Sequence, residues 1–191
     1  KDITLRGLSF VDAAPTILDP HGLPSDGGGD WAIARNAAVF LEGTERATVD
    51  ACSFERLDGN GVMISGFARN ATVRGSEFAW LGENAIVSWG KTRDFPGHPK
   101  RPAPIPVGQG PDATGGTHPI GNVIDTNFIH EIGIIQKQVS CYFQAQTEGS
   151  TLSNNICFNG PRAGINFNAR RDSAEDFSRI GRPAFHSHMA W

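Results

Sequence analysis

The sequence predicts an all-β fold, a right-handed parallel β-helix (solenoid) of about five coils, on three observations. A motif recurs, its spacing agrees between two separate parts of the motif, and the runs are short, β-branched or aromatic and free of helical period. The motif is an apolar residue, four positions, then an aromatic residue. It matches Leu5 to Phe10, Val49 to Phe54, Val73 to Phe78 and Val123 to Phe128, with Leu152 to Cys157 as a weaker fifth copy. Val49 and Val73 lie 24 residues apart, inside the period range of solenoids. A second run begins seven residues past the aromatic: Gly61-Val62-Met63-Ile64, Ala85-Ile86-Val87-Ser88 and Gly164-Ile165-Asn166-Phe167. In the fourth copy the matching run is Ser140-Cys141-Tyr142-Phe143, twelve residues past Phe128, so that coil is expected to carry five extra residues. The 29 residues from Val123 to Leu152 agree with the same insertion.

Each coil then reads as two or three strands of four to six residues, bounded by Gly, Asn and Ser, and stacked on its equivalents above and below. The inward column of the second strand is expected to be Val39, Val62, Ile86, Cys141 and Ile165, with Leu41, Ile64, Ser88, Phe143 and Phe167 two residues on. Cys141 and Cys157 read as small buried hydrophobes in this core, and a buried Ser88 requires a hydrogen-bond partner. Two insertions break the period, at about residues 13–36 and 91–119. The second is rich in proline, which cannot donate to a ladder, and is expected to be a surface loop. Residues 1–168 form the repeat domain, and residues 169–191, where the repeat vanishes, form an irregular tail or cap.

Composition narrows the partners. The net charge of −3 and scattered Lys and Arg leave no basic stripe, which excludes the footprint of a nucleic-acid binder. No run reaches the roughly 18 apolar residues a membrane-spanning helix needs. Three cysteines without paired spacing argue against a disulfide framework and against a zinc site, so neither a metal nor another cofactor is expected. Asn70-Ala71-Thr72 is a glycosylation sequon, meaningful if the chain is secreted or extracellular; no other feature bears on compartment or oligomeric state.

In-register stacking turns one sequence position into a straight column, so chemistry is sought on the outward side of the second strand. The expected column is Glu42, Ser65, Trp89, Gln144 and Asn168, flanked by Phe40, Met63, Val87, Tyr142 and Asn166. Such a face offers aromatic surface for the axial hydrogens of sugar rings and amides or carboxylates for their hydroxyls. The first insertion borders it with Asp19-Pro20-His21-Gly22 and Gly28-Gly29-Asp30-Trp31. Asp30 and Glu42 are the candidate catalytic carboxylates, because glycosidic cleavage needs one protonated and one ionised carboxyl across the bond. His21, Ser65, Trp89, Lys137, Tyr142, Gln144, Arg162, Asn166 and Asn168 are the candidate substrate-binding residues. His130 is expected to stack with Arg56, Trp80 and Asn159 in a turn ladder.

Several stretches carry a family resemblance, among them Leu18-Asp19-Pro20-His21-Gly22, Leu41-Glu42-Gly43-Thr44, His130-Glu131-Ile132-Gly133 and Asn159-Gly160-Pro161-Arg162-Ala163-Gly164-Ile165-Asn166-Phe167-Asn168. Over residues 2–168 the chain resembles right-handed parallel β-helix repeat proteins of the pectate-lyase-like superfamily, and is most similar to members related to glycoside hydrolase family 141. The resemblance implies the fold directly. Function transfers less directly, since this fold carries lyases, hydrolases, epimerases and non-catalytic adhesins. In similar proteins the last motif continues with Asp-Gly and a glycine run, whereas here Asn168 is followed by Ala169-Arg170-Arg171-Asp172. Three readings follow: a glycoside hydrolase acting on an extended polysaccharide, a non-catalytic glycan-binding or structural β-helix, and a polysaccharide lyase or epimerase.

Overall fold

A computed structural model of the chain describes residues 1–13, 18–22, 32–90, 118–168 and 184–186. Among the described residues the structure is all-β, without helix, and its strands lie mainly in three parallel sheets. The first sheet runs β1 (Thr4–Arg6), β6 (Thr48–Asp50), β9 (Thr72–Arg74), β13 (Val123–Asp125), β16 (Thr151–Ser153), β19 (Ala184–His186). The second contains β2 (Ser9–Val11), β7 (Ser53–Leu57), β10 (Glu77–Leu81), β14 (Phe128–Ile132) and β17 (Ile156–Phe158). The third contains β5 (Val39–Glu45), β8 (Val62–Arg69), β11 (Ile86–Trp89), β12 (Pro119–Ile120), β15 (Ser140–Ala145) and β18 (Ala163–Asn168). The chain visits the sheets in rotation, so each sheet grows by one strand per circuit. The first insertion contributes a short antiparallel pair, β3 (His21–Gly22) with β4 (Ile33–Ala34).

The interior follows from alternation along these strands, which sends every second side chain inward. One buried cluster takes Val49, Val73 and Ile124 from the first sheet, Phe54, Phe78 and Ile129 from the second, and Val62 and Ile86 from the third. Phe10, Phe54 and Phe78 stack as parallel rings, with centroids 4.8 and 4.5 Å apart. Ser88 is buried and has the partners its hydroxyl requires, Thr147 Oγ1 at 2.9 Å and the donating Asn122 amide at 3.1 Å.

The fourth circuit corrects the expected register. Ile124 pairs with Val73 and Ile129 with Phe78, so the inward pair is Ile124 and Ile129 rather than Val123 and Phe128. Phe128 is 40% exposed while Ile129 is 1% exposed. Between β14 and β15 the circuit still carries five extra residues, 13 from Ile129 to Tyr142 against 8 from Phe78 to Ile86, but one residue fewer follows β15, so the whole circuit is 28 residues, the separation of Asn127 and Asn155 in their own ladder. The shift carries into β15, where Tyr142 rather than Cys141 lies between Ile86 and Ile165, and Gln144 rather than Phe143 lies between Ser88 and Phe167. His130 consequently aligns with Ala79 and Phe158, and Glu131 falls beside Trp80. A second correction concerns cysteine. Cys141 and Cys157 are buried as expected, but they are joined in a disulfide, leaving Cys52 as the free buried thiol.

β11 and β12 lie along one line, since β11 pairs with β8 at residues 62–65 and β12 pairs with it at Ala68 and Arg69. The Pro-rich insertion thus interrupts a single strand of the third sheet. Pro119, counted with that insertion in the sequence, joins the ladder as the first residue of β12, the strand position where a missing N–H is tolerated. The rest of the insertion, residues 91–117, lies outside the described residues. So do residues 169–183 and 187–191 of the tail, while Ala184–His186 pairs with β16.

Two buried asparagine ladders close the turns. Asn127 Nδ2 donates to Asn155 Oδ1 at 2.9 Å and to the Val73 carbonyl at 3.0 Å, and its Oδ1 accepts from the Ser76 N–H at 3.1 Å. Asn84 Nδ2 donates to Asn60 Oδ1 at 2.9 Å, and Asn84 Oδ1 accepts from the Ser140 N–H. Asparagine serves here because one short side chain both donates and accepts across neighbouring circuits. Asn127→Ala strands a buried N–H and a buried carbonyl, and the expected loss is about 1–3 kcal/mol. Urea denaturation measures it; a midpoint equal to wild type would show that water replaces the ladder at no cost.

Candidate functional site

The outward column of the third sheet is not the open strip expected from the sequence. By pairing it runs Glu42, Ser65, Trp89, Ala145 and Asn168, flanked by Phe40, Met63, Val87, Phe143 and Asn166. Tyr142 and Gln144 instead point inward, where the Tyr142 hydroxyl lies 2.9 Å from Gln144 Oε1 and 3.2 Å from Ser150 Oγ. Burial pushes the Tyr142 phenol up to about 12.

The first insertion covers the middle of the column. Ile33 packs against Met63, Val87, Trp89 and Phe143 in a second, smaller apolar cluster. The Arg35 guanidinium lies 3.7 Å from the centre of the Trp89 ring and donates to Ser65 Oγ at 2.9 Å and to the Trp89 and Gly90 carbonyls, each at 3.1 Å. Ser65 in turn donates to Glu42 Oε2 at 2.8 Å. Trp89 is 2% exposed, so no sugar ring can stack on it. Ser65 is fully buried, and Glu42 remains at the rim with its carboxylate engaged.

The other sequence-derived candidates disperse. Lys137 is spent on its own turn, its Nζ donating to the Gly133 and Ile134 carbonyls at 2.7 and 3.0 Å. Arg162 is exposed in the turn before β18. Asn166 is half-buried, with a buried Oδ1 that has no hydrogen-bond partner among the described residues. Asn168 pairs through its backbone with Ala145. Asp30 lies outside the described residues.

His21 meets a residue that the sequence did not single out. Its Nδ1 lies 2.8 Å from the Asp19 carbonyl and its Nε2 lies 2.8 Å from Glu83 Oε1. Glu83 follows Gly82 in the turn after β10, and this turn presses so closely on the turn after β7 that a Cβ at Gly82 would stand 2.2 Å from the Asp58 carbonyl oxygen. The Glu83 side chain is 1% exposed, and its Oε2 has no hydrogen-bond partner within bonding geometry among the described residues, although the Asn60 amide lies close enough to lower the Glu83 pKa. Burial pushes its carboxyl above the usual glutamate range, opposed by the hydrogen bond and charge of His21. The proximity spans 62 residues of sequence, so no local pattern announces it.

The most exposed chemistry lies on the second sheet. Arg56, Trp80, Glu131 and Asn159 all have φ near +50°, at a corner that recurs in each circuit and turns their side chains outward. Trp80 is 53% exposed, Phe128 40% and Ile156 45%. The His130 ring lies parallel to Phe158 at 5.2 Å and tilted against Phe128 at 4.6 Å. Its Nε2 lies 3.1 Å from Glu77 Oε1, and its Nδ1 contacts Glu131 Oε2. An ionised carboxylate only accepts, so both contacts favour the doubly protonated ring. Desolvation works against that charge, but the bonds to Glu131 and Glu77 outweigh it and raise the His130 pKa. Asn159 Nδ2 donates to Glu131 Oε1 at 2.6 Å, and this bond, with that of His130, holds the Glu131 carboxyl below its usual range. The face therefore presents apolar rings beside carboxylates held by His130 and Asn159.

Among the described residues no group of three or more His, Cys, Asp or Glu is placed to hold a metal ion, and no helix is long and apolar enough to cross a membrane. No family model matches the chain, and no curated protein matches it. A solved structure described as "Glycoside hydrolase" aligns at 11% identity with a TM-score of 0.34, over 81% of this chain and 41% of that one. The chain thus spans about two-fifths of the length of that structure, and an alignment this loose adds nothing to the geometry.

Proposed function

We propose that the chain is a right-handed parallel β-helix that holds an extended glycan along the outer face of its second sheet, centred on Trp80, Phe128 and the His130 carboxylate cluster. The rotation through three parallel sheets supports the helix, and its hand follows from the rule that about 98% of crossovers between parallel strands are right-handed. One observation carries the functional reading: exposed aromatic rings stand beside carboxylates already fixed by His130 and Asn159. A sugar ring stacks its C–H face on Trp80 or Phe128 and donates hydroxyls to Glu77 and Glu131, without the cost of ordering those side chains on binding. A buried disulfide suits an oxidising compartment, where polysaccharides are met.

Hydrolysis of the glycan is a second reading, in which the burial-raised carboxyl of Glu83 would serve as general acid only once uncovered, since its side chain is 1% exposed and faces His21. A polysaccharide lyase or epimerase has no specific observation behind it.

Titration of a panel of cell-wall and algal polysaccharides, with reducing ends assayed in parallel, tests both readings. Binding with no reducing ends released favours the first alone. Trp80→Ala keeps the Cβ and the strained corner but removes the ring, and is expected to weaken binding by about 1–3 kcal/mol. Absence of binding by the wild type to every polysaccharide would sink the proposal, and unchanged affinity in Trp80→Ala would move the site off the second sheet.

A further inference from the structure

One motif of the sequence has no part in the proposed binding face, the sequon Asn70-Ala71-Thr72. Asn60, Asn84, Asn127 and Asn155 are buried, and their amides are engaged in the ladders that close the turns. Asn70 is exposed, in the turn between β8 and β9 where the circuit passes from the third sheet to the first. Its φ of +53° lies in the left-handed region, which asparagine enters more readily than most residues. Ala71, the middle residue of the sequon, packs in the shared core and so holds Asn70 at a fixed place on the surface.

The same corner recurs along the stack. Asp2, Arg46, Asn70, Gly121 and Gly149 all have positive φ. Each backbone N–H from Asp2 to Gly121 donates to the carbonyl just before the next corner, on Glu45, Arg69, Ile120 and Glu148 in turn, at 2.8 or 2.9 Å. The side chains of this column divide at Asn70. On its N-terminal side Arg46 reaches away, with Nη2 donating to Asp2 Oδ2 at 2.7 Å. On the other side the next two rungs are glycines, and the Asn70 amide leans across the first: a Cβ at Gly121 would stand 2.5 Å from Asn70 Oδ1. No side chain grows from these two rungs to crowd a bulky group attached at Asn70. Of the three turns in a circuit, this is the one that the second sheet does not adjoin, so such a group leaves Trp80 and Phe128 uncovered. A further observation concerns compartment. Cys141 and Cys157 form a buried disulfide, a bond kept in the oxidising compartments where chains are also glycosylated at Asn-X-Thr.

We propose that Asn70 carries an N-linked glycan, which stands on the corner between the third and first sheets and leaves the face of the second sheet clear. The donor is a lipid-linked oligosaccharide, and a transferase of the secretory pathway joins it to the chain. The Asn70 amide nitrogen attacks C1 of the first sugar, and the bond from C1 to Nδ2 forms as the bond from C1 to the pyrophosphate oxygen breaks. One proton leaves the amide, and the lipid pyrophosphate departs with the bonding electron pair. Transfer precedes folding, before Ala71 is buried and Thr72 joins β9, so the fold decides only whether the product has room. The two glycine rungs provide that room. The inference rests on neither glycan-binding reading, but it does rest on the disulfide.

Peptide mass mapping of the protein from its native source, before and after enzymatic release of N-glycans in heavy-oxygen water, tests it. The Asn70 peptide is expected to carry hexose and N-acetylhexosamine mass in most copies, and to become a heavy-oxygen aspartate at that position on release. Variants are secreted from a eukaryotic host beside the wild type. Thr72→Val should abolish the modification and keep the ladder, because Val123 already occupies the paired place on the next strand of the first sheet. Asn70→Asp, which accepts the same φ, should abolish it as well and serves if Thr72→Val does not fold. An unmodified Asn70 peptide in the native protein would overturn the proposal, and so would a glycan that survives either substitution. Three free thiols in the native protein would overturn it too, by removing the bond that sets the compartment.

Discussion

Replacing Ile86 with aspartate is expected to leave no cooperatively folded protein. Ile86 is fully buried, pairs with Val62 on one side and Tyr142 on the other, and sits in the cluster shared by all three sheets. Removing its side chain alone costs about 2–5 kcal/mol, and an unpaired carboxylate in that interior adds several more unless it is protonated, which is itself a cost at neutral pH. A domain is stable by only about 5–15 kcal/mol, so the substitution consumes most or all of the margin. Ile86→Val, which keeps the shape and loses one methyl, should cost only about 0.5–1.5 kcal/mol. Soluble yield and a urea transition decide the matter. A soluble Ile86→Asp chain with the wild-type midpoint would mean that this strand presents the opposite face to the core.

The repeat was legible because the circuits are nearly identical where they are shortest. Val49 to Phe54 and Val73 to Phe78 reach the same corner with the same residue count, so the 24-residue spacing reports structure directly. The fourth circuit departs from the expected register by one residue for a physical reason. At Val123-Ile124 and Phe128-Ile129 both faces of the strand are apolar, so alternation no longer distinguishes inside from outside. The aromatic template took Phe128, which instead belongs to the exposed cluster with Phe158 and His130. Because side chains alternate along a strand, the one-residue error turned Tyr142 and Gln144 from core to surface in the expected column.

The functional residues were harder to read, since tertiary contacts of the first insertion decide them. Trp89 does face outward, as the pattern implied, yet Arg35 covers it from 54 residues away in sequence. Glu83 lies in a turn whose local sequence, Gly82-Glu83-Asn84, carries no sign of a histidine partner. The sequence marks Trp80 only as a turn residue. Its recurrence at a corner where φ is positive, beside Arg56 and Glu131, is the signal that would have placed it outward.

Breaking the Cys141–Cys157 disulfide is expected to produce the second large effect. The bond joins the inward column of the second sheet, where Cys157 stacks below Ile129, to the start of β15 in the third sheet, across the shared interior. The cysteines are 16 residues apart, and closing a loop of about that length removes roughly 3 kcal/mol of unfolded-state entropy in the chain-entropy account. For a chain of this size each kcal/mol shifts the melting temperature by about 2–4 °C, so Cys157→Ala should melt roughly 6–12 °C lower. Either single alanine variant removes the whole cross-link, so the loop-closure loss should appear once in Cys141→Ala/Cys157→Ala rather than twice, a non-additivity that simple cavity formation would not produce. A thiol count separates the bond from its energetics. Denatured without reductant and alkylated, the wild-type chain should take up one alkyl group, at Cys52, and three after reduction. Three groups without reductant would show that the two cysteines are only neighbours, and the expected loss would then shrink to that of two buried thiols.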